Sequence, residues 1–269
     1  MNKIFLLGDI HGDWRQIHRI YHQNKEKISQ YDNNILILLG DAGLNFFFDK
    51  RDTKLKEKLK DFPFTYFVIR GNHEERASIC AEKNPSDWHL EQCFYNQVWV
   101  ENKYPYIKYA MDYPAVYNFS YDINNHKERC IALSLPGAYS IDKEYRLLMG
   151  GKGWFPNEQL TPEEMKLGEK LIDTHKFFDL VLSHTCPYTL MPTDLFIPHI
   201  DQSRVDNTME RWLEKISREM KYKVWCWGHY HQYREYFRKN QEPSYKEPYH
   251  LMLNDKKIIN LVDLLKNKK

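Results

Sequence analysis

The chain has no long apolar run. Before its first charged motif it offers only the four-residue stretch Ile4–Leu7, too short for a signal peptide or a membrane span. It has no closely spaced cysteine pair. Its five cysteines, at 80, 93, 130, 186 and 226, form no Cys-x-x-Cys. An odd, scattered set argues against a disulfide framework or a thiolate zinc site, and for free thiols in a reducing cytoplasm. It also has no excess of one charge. The net charge is +2 at pH 7, so no global field draws it to nucleic acid or to an anionic membrane. No internal repeat or low-complexity linker divides it, and one domain over residues 1–269 is expected.

Apolar runs and polar loops alternate instead. Ile4–Leu7, Ile35–Leu39 and Thr65–Ile69 read as buried strands, with helical spacing after the first (Trp14, Ile17, Tyr21) and a thin stripe (Leu55, Leu59) after the second. This rhythm predicts βαβ units and a largely parallel sheet. The pattern lapses at about 75–115, an aromatic-rich insertion read as an irregular or hairpin excursion, or as a cap over the site. Further strands are expected at Cys130–Leu135, Leu180–Leu182 and Val224–Trp227. Thr161-Pro-Glu-Glu164 is a capping-box helix start, and Val205–Met220 carries a strong helical stripe. His250–Leu253 and Lys256–Leu261, flanking Asn254-Asp255, suggest a closing hairpin.

Five polar blocks stand at or just after these strands: Asp9-Ile-His11, Gly40-Asp41, Gly71-Asn-His-Glu74, Ser183-His184 and Gly228-His-Tyr-His231. Carboxylate, amide and imidazole donors suit hard or borderline divalent cations. Two such cations about 3.5–4 Å apart can clamp a phosphate. Loops at the carboxyl ends of parallel strands converge where open α/β sheets bind ligands. The alternate histidines 229 and 231 would point apart in an extended strand, so a turn must redirect both.

In this order, over residues 9–231, the blocks resemble the calcineurin-like metallophosphoesterase superfamily, and the stretch Gly137–Glu158 resembles its small prokaryotic and phage-type members. The resemblance implies an α/β fold, a four-layer double β-sandwich flanked by helices, with two divalent metal ions at the top of the sheets. It implies Asp9, His11 and His231 on one metal, Asn72, His184 and His229 on the other, and Asp41 bridging them. His73 would be catalytic, protonating the leaving oxygen or stabilising phosphoryl charge, while a metal-bridging hydroxide attacks phosphorus in line. Mn²⁺ is expected first; Fe, Zn²⁺ and Ni²⁺ accept the same donors.

The implied partner is a phosphorylated small molecule or nucleotide, with monoester and diester both open. The aromatic residues from Trp88 to Tyr113 could stack on a base, or fill the core. A protein phosphatase is disfavoured because Asp41 is followed by Ala-Gly-Leu-Asn-Phe-Phe-Phe, with no arginine until Arg51. A nucleic-acid phosphodiesterase would need a basic channel, and a non-catalytic scaffold would lack a ligand or His73. Arg146 could bind phosphate in bidentate fashion or pair with Asp142 or Glu144. Tyr139 could line the cleft or pack in the core, and His199 could touch substrate or face solvent. Cys186 reads as a small buried residue. Glu74 could orient His73 or cap a helix.

Overall fold

The computed structural model describes residues 1–30, 32–198, 200–237 and 248–266. The first half runs β1 (Asn2–Leu7), α1 (Trp14–Gln23), β2 (Asn33–Leu39), α2 (Lys50–Leu59), β3 (Phe64–Ile69) and α3 (Ala77–Lys83). Then come β4 (Trp88–Cys93), β5 (Asn96–Glu101), β6 (Ile107–Tyr109), β7 (Ala115–Ile123), β8 (His126–Leu135), α4 (Lys143–Leu148) and α5 (Pro162–His175). The chain finishes with β9 (Phe177–Ser183), α6 (Thr208–Glu219), β10 (Lys221–Trp227), β11 (Arg234–Phe237), β12 (Tyr249–Met252), β13 (Ile259–Asn260) and α7 (Leu261–Lys266).

The strands form two sheets, one ordered β13-β1-β2-β3-β6-β5-β4 and the other β11-β12-β10-β9-β8-β7. The near-continuous apolar runs now have their reason: the central strands are buried on both faces. In β1, Ile4 and Leu6 face the opposite sheet while Phe5 and Leu7 face α1 and α2. In β2 the same division separates Ile35, Ile37 and Leu39 from Leu36 and Leu38, as the two-residue period of a strand requires. The second sheet repeats this, turning Leu133, Val181 and Trp225 towards α5 and α6. Helix, sheet, sheet and helix make the four layers of a double β-sandwich. Each fully buried aliphatic side chain contributes about 1.5–3 kcal/mol of transfer free energy, against about 0–1 for a surface ion pair, so these three cores dominate the fold.

Parallel pairing is narrower than the sequence suggested. It joins β1, β2, β3 and β6 in one sheet, and β8, β9, β10 and β12 in the other. The edges are antiparallel. Residues 75–115 form α3 and then β4–β6, which extend the first sheet. Trp88, Tyr104 and Tyr109 pack into its helix-side core.

The closing hairpin does not exist. β12 pairs with β10 in one sheet, and β13 pairs with β1 in the other. The Asn254 turn crosses between sheets because the carbonyl of Asn254 accepts from Gly8 N at 3.1 Å. A Cβ at Gly8 would collide with the Leu253 carbonyl. The capping box is present: Thr161 accepts from Glu164 N at 3.2 Å, and Glu164 accepts from Thr161 N at 2.8 Å. Among the described residues no helix is long and apolar enough to cross a membrane.

Candidate metal centre

All five polar blocks meet at the carboxyl ends of β1, β2, β3, β9 and β10. The backbone there is held in sparsely populated conformations. His11, Asp41, His229 and His231 have φ of 44°, 46°, 67° and 55°, each costing a non-glycine residue on the order of 1 kcal/mol. The first two loops are laced together by His11 N to the Asp41 carbonyl (2.8 Å) and Gly12 N to the Ala42 carbonyl (3.0 Å). Gly71 and Gly228 permit close approach, since a Cβ at either would strike the carboxylate of Asp41 or Asp9 respectively. Asp9 accepts from His229 N at 2.9 and 3.0 Å. Asp41 accepts from His73 N at 2.9 Å.

The donor atoms fall into two clusters. Asp9, His11 and His231 form one, and Asp9, Asp41 and His184 the other, with ligand atoms in each within 4.8 Å of one another. In the first, the Nε2 atoms of His11 and His231 lie 2.9 Å apart. Asp9 Oδ2 is 3.8 Å from the former and 3.4 Å from the latter. Asp9 thus stands in both clusters, and Asp41, to which the resemblance gives the bridging role, stands in the second. The His229 ring lies against that of His184, centroids 4.9 Å apart, outside both clusters.

His184 provides the test of fit for a cation. Its Nδ1 is 2.7 Å from the Leu39 carbonyl oxygen. A carbonyl only accepts, so Nδ1 carries the hydrogen and Nε2 of the neutral ring presents a lone pair. That lone pair faces Asn72 Oδ1 at 2.9 Å and Asp41 Oδ2 at 3.4 Å. The Asn72 oxygen is fixed there because its Nδ2 donates to Ser140 Oγ at 2.9 Å, and Ser140 donates in turn to the buried carboxylate of Glu158. Three electron-rich atoms converge with nothing to separate them. A divalent cation fits such a set, and without one a proton takes its place. Burial works to lower His184, but the charges of Asp41 and Asp9 overcome it and push the ring up to about 9. Burial likewise works to raise Asp41, and the adjacent His184 holds it well below the usual carboxylate range. His229 is lowered to about 3, by burial and then by the charge of His184, which keeps it a neutral donor.

His73 lies beside these clusters, its ring centroid 6.2 Å from that of His11, and its buried Nδ1 has no partner among the described residues. Glu74 does not orient it. The Glu74 carboxylate accepts from the backbone of Gly43 (2.8 Å), Leu44 (3.2 Å) and Gly71 (3.4 Å), bracing the second loop against the third. Cys186 is fully buried and burial raises its thiol well above the usual range.

A family model described as calcineurin-like phosphoesterase matches residues 2–233. The chain belongs to that family. No curated protein matches it. Metal-dependent hydrolysis of phosphoesters, with divalent cations as cofactors, is therefore the general chemistry of this phosphoesterase.

Two lobes of open space meet at its centre, sharing His11, Asp41, His73 and His231. One, of about 370 Å³, includes Tyr139 among its walls; the other, of about 440 Å³, includes Arg146. Arg146 also pairs with Asp142, Nε to Oδ2 at 2.7 Å, and its guanidinium lies 5.5 Å from the Phe46 ring centroid. His199 lies outside the described residues. Residues not anticipated complete the cleft. Phe46 and Phe47 wall the second lobe, their loop held by Asp52, which accepts from the backbone of Phe46, Phe47 and Phe48 at 3.1, 2.9 and 2.8 Å. Met191, Leu195, Phe196 and Ile197 wall the first, together with Glu210. The Phe46-Phe-Phe run beside Asp41 was a readable signal; the others carried none. No aromatic residue of 88–113 lines either lobe.

Proposed function

We propose that this phosphoesterase hydrolyses an ester of a small or medium organic molecule with two divalent cations, manganese first among the candidates. Asp9, His11 and His231 would hold one, Asn72, His184 and His229 the other, with Asp41 between them. The observation that carries the reading is the lone pair of His184 Nε2 facing the oxygens of Asn72 and Asp41. Cations bound there supply Lewis acidity towards phosphoryl oxygens and lower the pKa of a coordinated water.

The protein's own groups do the rest. The loop contacts hold ligand side chains in place before any ion arrives, which removes reorganisation from the reaction. His73 borders both lobes, so its ring can reach the ester oxygen from either and supply a proton or a hydrogen bond there. Arg146 offers its remaining guanidinium nitrogens to a phosphoryl oxygen in the second lobe. The lining supports a small substrate over nucleic acid. Arg146 is the one arginine or lysine in either lobe among the described residues, whereas a nucleic-acid channel needs many phosphate contacts.

The test is hydrolysis of an aryl phosphomonoester and of a bis-aryl phosphodiester by metal-stripped protein reloaded with Mn²⁺. Turnover should return with the metal. Asp41→Asn and His73→Ala should each lower kcat by about 10²-fold or more while far-UV circular dichroism stays unchanged. Stoichiometric metal binding without turnover of either ester would sink the reading in favour of a scaffold.

A further inference from the structure

Two buried carboxylate oxygens of the residues lining the first lobe meet no donor among the described residues. Glu210, from the first turn of α6, is 4% exposed and lines it. Its Oε1 accepts from Thr185 Oγ1 at 2.7 Å, but its buried Oε2 has no partner among the described residues. Asp142, which also lines the lobe, accepts from Arg146 with Oδ2, and its buried Oδ1 likewise has no partner among the described residues. Of the lobe's other two carboxylates, Asp206 is satisfied by Thr208 and Gln159, and Asp41 belongs to the metal centre. Among the described residues no lysine or arginine lines this lobe, and most of its surface is apolar. A buried acceptor left unmet costs about 1–3 kcal/mol, more when charged. Two in one lobe mark a place where hydrogen-bond donors belong, and a further anionic group would be repelled.

We infer that the organic group of the substrate carries an amine, seated in this lobe with its N–H bonds on Glu210 and Asp142. The substrate class is then an amine-bearing phosphate ester with an apolar body, and not a polyphosphate or sugar bisphosphate. Burial pushes Glu210 up to about 7, and a cationic nitrogen arriving beside it favours the ionised carboxylate. Glu210 is thus a specificity residue. The inference rests on the hydrolase reading only for placing the phosphate end of the ligand at the metals.

Binding tests it without requiring turnover. Manganese-loaded protein is titrated calorimetrically with 4-(aminomethyl)phenylphosphonate and with the isosteric 4-ethylphenylphosphonate, whose P–C bonds resist hydrolysis. The amine should bind at least about tenfold more tightly. Glu210→Gln should bring the ratio close to one, and Asp142→Asn should reduce it. Equal affinities in the unaltered protein, or a preference surviving both substitutions, would overturn the inference. If Glu210 merely braces Thr185, Glu210→Gln weakens both ligands by the same factor, which overturns it too. Should Glu210→Gln fail to fold, the Asp142→Asn ratio decides alone. A preference for the amine in a protein that hydrolyses no ester would refute the hydrolase reading and leave the lobe's specificity standing.

Discussion

A metal site is only as good as the atoms behind its ligands, and Asn72 shows why. An amide can present oxygen or nitrogen to a cation, and only oxygen binds. Here Ser140 accepts from the amide nitrogen and is itself locked by Glu158, so the correct face is chosen in advance. Ser140→Ala should therefore weaken Mn²⁺ binding by about 10–100-fold at one of two sites, read by calorimetry, with little change in secondary structure. Unchanged affinity at both sites would remove Ser140 from that role. The candidate ligands were legible in the chain because each follows an apolar strand and most sit beside a glycine that permits a tight turn. Ser140 and Glu158 were not, since serine and glutamate in loops look like ordinary solvated residues until the fold buries them. Glu210 hid for another reason: an acid in the first turn of a helix is already explained by the helix dipole.

Among elements, α5 is the best specified by local sequence, and its cap also has a tertiary partner. Glu164 closes the capping box and pairs with both terminal nitrogens of Arg76, at the start of α3. Burial works to raise its carboxyl, but the Arg76 and Thr161 bonds prevail and leave it below the ordinary value. A depressed carboxylate contributes stability that is complete above its unfolded pKa, about 4.3, and is lost as pH falls through the folded value. Glu164→Gln keeps the cap and removes the charge. It should cost roughly 1 kcal/mol at pH 7, discounted for partial exposure, and the gap in urea midpoint between the two proteins should narrow from pH 6 to pH 3.5. A gap independent of pH would mean the pair contributes no charge-dependent stability. Periodicity found the central strands because burial on both faces leaves continuous apolar runs. It misjudged the last ones: a strand, a turn and a strand look alike whether they return to one sheet or cross to another.

At the scale of the whole molecule, ligand binding and stability are linked. Cations that bind the native state alone raise stability by about 2.7 kcal/mol at a hundred times their dissociation constant. Thermal scans with and without Mn²⁺ should show a higher Tm for the loaded protein, and Asp9→Asn should remove most of the increase because Asp9 stands in both clusters. An equal rise in that variant would place the bound metal elsewhere. The four-layer architecture was legible only through the family resemblance, since periodicity alone could not say that two sheets share the load.

Asp9, His11, Asp41 and Asn72 come from one sheet, and His184, His229 and His231 come from the other. Ions held by the ligands proposed here would therefore work as a clasp across the seam of the sandwich. With the clasp open, the two sheets are kept in step by interlayer packing, the Asn254 crossover and the bonds from His229 N to Asp9 and from His184 Nδ1 to the Leu39 carbonyl. Loading the site should turn a gradual, two-stage melting into a single sharp one, so the breadth of the transition would gauge occupancy without any substrate.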